Sequence, residues 1–134
     1  LNQFSRTELV IGKEGVEKLN STKVAIFGLG GVGSFFYKIV RAGIGNFVLI
    51  DDDKICLTNL NRQILATRKT VGQPKVEVAK QRILDINPDA NVEIHKEFYC
   101  EENKDKLIKY SYYTPLYSMN TSIFLTPFLI IPIK

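Results

Sequence analysis

Three short apolar runs form the predicted core of this chain. Residues 24–27 and 47–50 are continuously apolar, which is typical of strands that are buried on both faces in a parallel sheet. Residues 92–98 begin with alternating apolar and polar positions, which predicts a third strand. The chain therefore contains strands that are long enough for a small sheet but that need helices to cover them.

Two amphipathic segments separate these strands. The first begins after Ser34 and ends at Gly43, a natural C-cap, and its apolar stripe is Phe35, Phe36, Ile39 and Val40. The second covers residues 75–86 and is stopped by Pro88, and its apolar stripe is Val76, Ala79, Ile83 and Ile86. The order βαβαβ, with right-handed crossovers, predicts one half of a doubly wound α/β sheet.

Both ends of the chain differ from this pattern. Residues 1–20 mix charged and apolar positions around Gly12 and Gly15, which predicts an interrupted helical arm. No charged residue occurs between Tyr110 and Ile133, and three of the five prolines lie there. This tail could add one or two strands, but its most apolar part is only about half of the ~20 residues that a membrane span needs. We therefore divide the chain into an arm (1–20), an α/β domain (21–109) and an atypical tail (110–134).

Composition and charge narrow the class of protein. At 134 residues, with 45% hydrophobic and 24% charged positions, the chain has the composition of one globular domain, although it is short for a complete doubly wound enzyme. Charged residues interrupt the amino terminus throughout, unlike a secretion signal, so we expect a cytoplasmic protein. The net charge of +4 suits an acidic partner such as a nucleotide or RNA. Cys56 and Cys100 lack metal-ligand spacing, and we predict no metal-binding residue.

A glycine-rich loop joins the first strand to the first helix. It reads GLGGVGS and contains Gly28, Gly30, Gly31 and Gly33, while Asp51 follows the second strand 18 residues after the last of them. Glycines let the backbone approach a phosphate, whose charge is met by free N–H groups at a helix start. This Rossmann-like arrangement predicts nucleotide binding, against the alternative of a glycine-rich turn without a ligand. Taken alone it suits a nicotinamide or flavin enzyme equally well.

Three polar residues beyond Asp51 shift the prediction towards ATP. Asn59 and Arg62 lie in the loop LTNLNRQ, and Lys75 begins the second predicted helix after VGQPK. A triphosphate concentrates negative charge that arginine and lysine stabilise, whereas a dinucleotide has no evident need for two cations and an amide there. The alternative is that these residues serve only surface solubility.

The motifs GLGGVGS, LIDDD, TNLNRQ and VGQPK, in that order, resemble the ThiF/MoeB/HesA family, the bacterial relatives of ubiquitin-activating enzymes. The resemblance covers about residues 4–108. The segments RTELVIGKEGVEKL and RILDINPDANVEIH are most similar to the tRNA threonylcarbamoyladenosine dehydratase branch. The resemblance implies an incomplete Rossmann-like sheet that binds ATP and adenylates a carboxylate.

The resemblance also implies roles for individual residues. The glycine loop would bind ATP, Asp51 would hold the ribose hydroxyls, and Asn59, Arg62 and Lys75 would contact the phosphates. Arg6 matches an arginine that reaches into the neighbouring subunit of a homodimer, so the implied catalytic residues are Arg62, Lys75 and Arg6. The family also binds Mg²⁺ through an aspartate beyond the third strand, but residues 112–120 contain no acidic side chain.

The implied substrate is the threonylcarbamoyl group of a modified adenosine in tRNA. One alternative is the C-terminal glycine of a ubiquitin-like sulfur-carrier protein, as in the sulfur-transfer branch. A second is a non-catalytic nucleotide-binding module, since the magnesium ligand is missing, and a nicotinamide-binding domain is the third.

Three features depart from the family pattern. Leu65 stands where the dehydratase branch often has histidine, and the first helix carries the bulky segment FFYK. The match stops near Leu107, and we expect the tail to derive from a disrupted reading frame or a truncated gene. An uninterrupted frame encoding the same tail in several independent isolates would contradict that expectation.

Overall fold

A computed structural model describes residues 1–30, 36–98, 100, 102–108 and 129–133. Its elements are α1 (Ser5–Ser21), β1 (Lys23–Phe27), α2 (Phe36–Ala42), β2 (Asn46–Ile50), a 3₁₀ helix (Leu57–Asn61), α3 (Lys75–Ile86), β3 (Asn91–His95), α4 (Lys104–Ile108) and β4 (Leu129–Ile133). None of the helices in these ranges is both long and apolar enough to cross a membrane.

The sheet confirms the predicted βαβαβ unit. Its strand order is β3-β2-β1-β4, and β1, β2 and β3 run parallel to one another. The third strand is shorter than predicted because β3 pairs only with β2, and Ile50, the last residue of β2, lies opposite His95. From the tail, β4 pairs with β1 in the antiparallel direction.

Both faces of the two central strands are buried, as their continuous apolar runs predicted. One face packs under α2 and α3, and its core includes Val24, Ile26, Phe36, Val40, Phe47, Leu49, Val76, Ala79 and Ile83. The opposite face is formed by Ala25, Phe27, Val48 and Ile50, which cluster with Leu107 of α4. Because neighbouring positions of a strand point to opposite faces, an uninterrupted apolar run is needed to fill both clusters.

The first crossover helix ends where the sequence predicted. Gly43 has a φ of +114°, in the left-handed region that favours glycine, and its N–H donates to Val40 O. Tyr37 is buried with Phe36 and Val40, whereas the predicted Ile39 is only partly buried and Phe35 lies outside the described residues. The α3 bounds are those predicted.

The arm is helical but kinked. Gly12 has a non-helical conformation within α1, which agrees with the interruption expected there. None of the α1 residues is buried, and Leu9 and Val10 are more than four-fifths exposed. The start of the arm lies against Gly43, where a Cβ would meet the Phe4 ring at 3.4 Å. The arm therefore has an apolar side that the described part of this chain does not cover.

The end of α1 is held closely against the turn before β2. Asn46 Nδ2 donates to Asn20 O and to Thr22 O, both at 3.2 Å. A Cβ on Gly45 would lie 2.0 Å from Asn20 O, a distance that no side-chain rotation relieves because the clashing atom is backbone. Gly45 is therefore required by the fold.

We expect Gly45→Ala to lower the free energy of unfolding by about 1–3 kcal/mol, the usual range for overpacking. The physical reason is that the new methyl group must displace the backbone of Asn20 or the start of β2. Urea denaturation followed by circular dichroism measures the change. Gly30→Ala is the matched control, because the nearest described atom to that Cβ is Gln63 Nε2 at 3.9 Å. Equal losses in the two variants would contradict this account.

Candidate functional site

The glycine loop and Asp51 meet at the carboxyl edge of the sheet, because β1 and β2 are parallel neighbours. Gly28 has a φ of +84°, and its N–H donates to Ile50 O at 2.8 Å. The N–H of Leu29 donates to Asp51 Oδ2 at 2.6 Å. The side chain expected to bind a ribose thus also fixes the start of the loop expected to bind a phosphate.

Asp51 is held on three sides and is only 9% exposed. Its Oδ1 accepts the N–H of Asp53 at 2.8 Å, and its own N–H donates to His95 O at 3.2 Å. Each carboxylate oxygen accepts one described hydrogen bond and retains a lone pair, so the group can accept hydroxyl donors without losing its present contacts.

Lys75 extends this network to α3. Its Nζ lies 3.1 Å from Asp53 Oδ2, and its N–H donates to Asp53 O at 3.0 Å. The Lys75 side chain is 6% exposed, whereas that of Asp53 is 64% exposed. A cation at the first residue of a helix lies at the positive end of the helix macrodipole, so the two add to one positive potential. This position is suited to an anion that carries more charge than Asp53 supplies.

The loop after Asp53 contributes Asn59 and Arg62 from one 3₁₀ turn. Asn59 is buried, and its Oδ1 accepts the N–H of Cys56 at 2.9 Å, so this side chain shapes the loop. Arg62 is exposed, and its Nη1 donates to Thr58 O and Asn61 Oδ1 at 3.1 and 2.9 Å. The guanidinium retains further N–H donors for a ligand at the surface.

The glycines of the loop differ in what the fold demands of them. Gly30 has no φ in the left-handed region, and the space on its Cβ side is open to 3.9 Å among the described atoms. Gly31 and Gly33 lie outside the described residues. Nothing among the described atoms requires a glycine at position 30, whereas close approach of a phosphate would favour one.

Arg6 lies away from this edge. Phe4, two residues before it, lines a cavity of about 190 Å³ with Arg41 and Ile86, which are at the ends of α2 and α3. Those helix ends precede β2 and β3, so they mark the amino edge of the sheet. Arg6 itself lines a cavity of about 660 Å³ formed by the arm alone. Within one chain, Arg6 is thus not grouped with the glycine loop and Lys75.

The acidic loop after β2 supplies an incomplete ligand set for the magnesium ion that the family resemblance implies. Asp51, Asp52 and Asp53 offer carboxylate oxygens within 4.8 Å of one another. However, both oxygens of Asp51 accept backbone N–H groups, and Asp53 is paired with Lys75. Mg²⁺ needs near-octahedral oxygen ligands. The free lone pairs of Asp51 and the exposed Asp52 supply only part of such a set, and residues 112–120 contain no acidic side chain for the aspartate that the family resemblance implies.

Two residues were absent from the predicted site. Asp53 pairs with the buried Lys75, although only Asp51 of the motif LIDDD had been assigned a role. Gln63 is 7% exposed and lies beside Gly30, although only its neighbours in LTNLNRQ had been assigned roles. The sequence feature that could have predicted Gln63 is its place in that motif. For Asp53 it is the position two residues after Asp51.

Comparisons with known proteins agree with this geometry. The chain is 50% identical over 111 residues to the tRNA threonylcarbamoyladenosine dehydratase of Bacillus subtilis. This match covers 82% of this chain and 44% of that protein. It is 42% identical over 90 residues to the sulfur carrier protein ThiS adenylyltransferase of Escherichia coli, covering 65% of this chain and 36% of that protein. The chain thus spans less than half the length of these relatives.

Solved structures give the same relationship. The crystal structure of the E. coli tRNA N6-threonylcarbamoyladenosine dehydratase in complex with ATP superposes with a TM-score of 0.79 at 36% identity. That match covers 82% of this chain and 46% of the E. coli chain. The same enzyme has also been solved in complex with AMP. The signature of the ThiF family matches residues 4–115. The match covers the glycine loop, the buried Asp51 and the parallel strands of the sheet. This chain therefore belongs to the ThiF family.

Proposed function

We propose that this chain binds ATP at the carboxyl edge of its sheet and serves in the ATP-dependent adenylation of a carboxylate. The observation that carries the proposal is the connected series from Leu29 through Asp51 and Asp53 to Lys75. It joins a glycine loop to a ribose-accepting carboxylate and a buried cation. The ATP complex of the E. coli dehydratase supports the choice of nucleotide.

Each side chain has a role that follows from its position. Asp51 accepts the ribose hydroxyls, and Lys75 exchanges Asp53 for a phosphate. Arg62 adds a second cation from the loop that follows Asp53. In the reaction, a carboxylate oxygen forms a bond to the α-phosphorus while the bond to the bridging oxygen breaks and pyrophosphate leaves with the electron pair. Lys75 and Arg62 stabilise the charge that grows on that leaving group.

The acyl substrate we propose is the threonylcarbamoyl group on an adenosine of tRNA. The 50% identity to the Bacillus dehydratase supports it, as does the net charge of +4. Similarity to the ThiS adenylyltransferase supports a second candidate, the C-terminal glycine of a sulfur-carrier protein. Pyrophosphate exchange that depends on modified tRNA favours the first, and exchange that depends on a small protein ending in Gly-Gly favours the second.

We also propose a homodimer in the cytoplasm in which Arg6 acts on the partner's ATP. The arm starts at the amino edge of its own sheet, opposite the glycine loop, so a contribution in trans is the simpler geometry. The exposed Leu9 and Val10 give the arm an apolar side for a second copy.

Two measurements on the purified chain test the proposal. Isothermal titration with ATP and magnesium measures binding, and the molecular mass in solution gives the oligomeric state. We expect ATP binding by a dimer. Binding of NADH without ATP would instead support a nicotinamide-binding domain. Binding of ATP without release of AMP and pyrophosphate, when modified tRNA or the small protein ending in Gly-Gly is added, would support a non-catalytic module, consistent with the missing magnesium aspartate.

We expect Arg62→Ala and Lys75→Ala each to raise the activation free energy of ATP-dependent turnover by about 2–4 kcal/mol. Each substitution removes a cation that stabilises the negative charge developing on the phosphates. Pyrophosphate exchange measures the loss. Lys75→Met retains the buried aliphatic stem and should behave like Lys75→Ala if charge is responsible. Arg68→Ala and Lys69→Ala are matched controls, since both are exposed cations of the same loop. Unchanged rates in the site variants would count against this assignment.

We expect Gly30→Ala to leave folding intact but to weaken ATP binding at least about tenfold, which is a loss of about 1.4 kcal/mol. The added methyl group has space in the free chain and would occupy the surface that the phosphate approaches. Titration calorimetry and thermal unfolding, run on the same sample, separate the two effects. Full ATP affinity in this variant would remove the reason we give for a glycine there.

A further inference from the structure

Gln63 carries a buried polar atom without a partner. Its side-chain Oε1 has no hydrogen bond, and it is the one such atom found in the described parts of the chain. The residue is only 7% exposed, so water does not readily compensate. Buried polar groups are nearly always hydrogen-bonded, so an unpaired one calls for a partner from outside the chain, such as an ordered water or a ligand.

The position of Gln63 indicates where that contact lies. Its Nε2 is 3.9 Å from the point where a Cβ on Gly30 would stand, so the carboxamide faces the glycine loop. Its backbone N–H donates to Asn59 O at 2.9 Å, which anchors it to the 3₁₀ turn. Leu29, the neighbour of Gly30, donates to Asp51. The carboxamide is therefore near the loop segment that Asp51 holds.

Stability alone does not explain the glutamine. A buried acceptor without a donor destabilises the folded state, and an apolar side chain of similar size would avoid that loss. In the orientation that the carboxamide has here, the unpaired atom is the acceptor Oε1, so its partner is a donor. The reversed carboxamide would present Nε2, which donates. Phosphate oxygens only accept, whereas ribose hydroxyls donate. The ribose is the part of a nucleotide that Asp51 would hold, and Asp51 accepts the N–H of Leu29, the residue before Gly30.

We propose that Gln63 is a nucleotide-binding residue whose Oε1 accepts a hydrogen bond from a ribose hydroxyl of ATP. The inference rests on the proposed ATP site and deepens it by adding a contact to the ribose. Asp51 and Gln63 would then hold the ribose from two sides of the glycine loop.

The test compares Gln63→Met with the unchanged chain, because methionine matches the length of glutamine without its polar atoms. In the absence of ligand, the thermal midpoint should stay the same or rise, since an unpaired acceptor is removed. The dissociation constant for ATP should increase about fivefold to tenfold, the worth of one hydrogen bond. Gln73→Met is the matched control from an exposed position of the same loop, where the side chain donates to Lys69 O. It should leave ATP affinity unchanged.

A second nucleotide identifies the group that Gln63 contacts. With 2′,3′-dideoxy-ATP, which lacks both ribose hydroxyls, Gln63→Met and the unchanged chain should bind with the same affinity. An equal loss for both nucleotides would overturn the ribose assignment in favour of a phosphate contact through Nε2. A lower thermal midpoint in both Gln63→Met and Gln63→Leu, with ATP affinity reduced alike, would overturn the proposal in favour of a packing role.

The two proposals fail in distinguishable ways. If the unchanged chain does not bind ATP, the ATP site itself is wrong. If the unchanged chain binds ATP and Gln63→Met binds it equally well, only the role of Gln63 is wrong.

Discussion

The buried carboxylate of Asp51 is the constraint on which the rest of the site depends. It follows the last residue of β2 and accepts the N–H of Leu29 and the N–H of Asp53, and so connects the glycine loop to the acidic segment after β2. A buried carboxylate is stable only while such donors surround it, because removing one leaves charge uncompensated. The loop, the acidic segment and the carboxylate therefore hold one another in place before any ligand arrives.

The ion pair of Lys75 and Asp53 explains how such a site can take up an anion. Lys75 is nearly inaccessible and needs a counter-charge, whereas Asp53 is mostly in solvent and is stable without one. Exchanging the carboxylate for a phosphate therefore leaves the buried member of the pair neutralised and returns the exposed member to water. Asp53 acts in this account as a replaceable partner that keeps the Lys75 ammonium group in position.

The sequence predicted most of the fold because the decisive signals are local. β1 and β2 are apolar on both faces, and α3 has a stripe of helical period that ends before Pro88. The end of β3 was not predictable in this way, because its length is set by the end of β2. For the same reason the site was only partly foreseen: motif positions located Asp51 and Lys75, but the pairing of Lys75 with Asp53 and the position of Gln63 beside Gly30 depend on segments brought together by folding.

The glycines show how a residue needed by the fold is separated from one needed by a ligand. Gly28 requires a left-handed φ, and Gly45 requires the absence of a side chain because Asn20 O occupies that space. Gly30 meets neither condition among the described atoms, yet it follows Leu29, which Asp51 fixes, and lies beside the carboxamide of Gln63, whose Oε1 is unpaired. A glycine for which the described atoms give no structural reason therefore lies beside a buried polar group without a partner, and both features are consistent with the nucleotide site that we propose. The two observations are independent of each other, and both point to the same edge of the sheet.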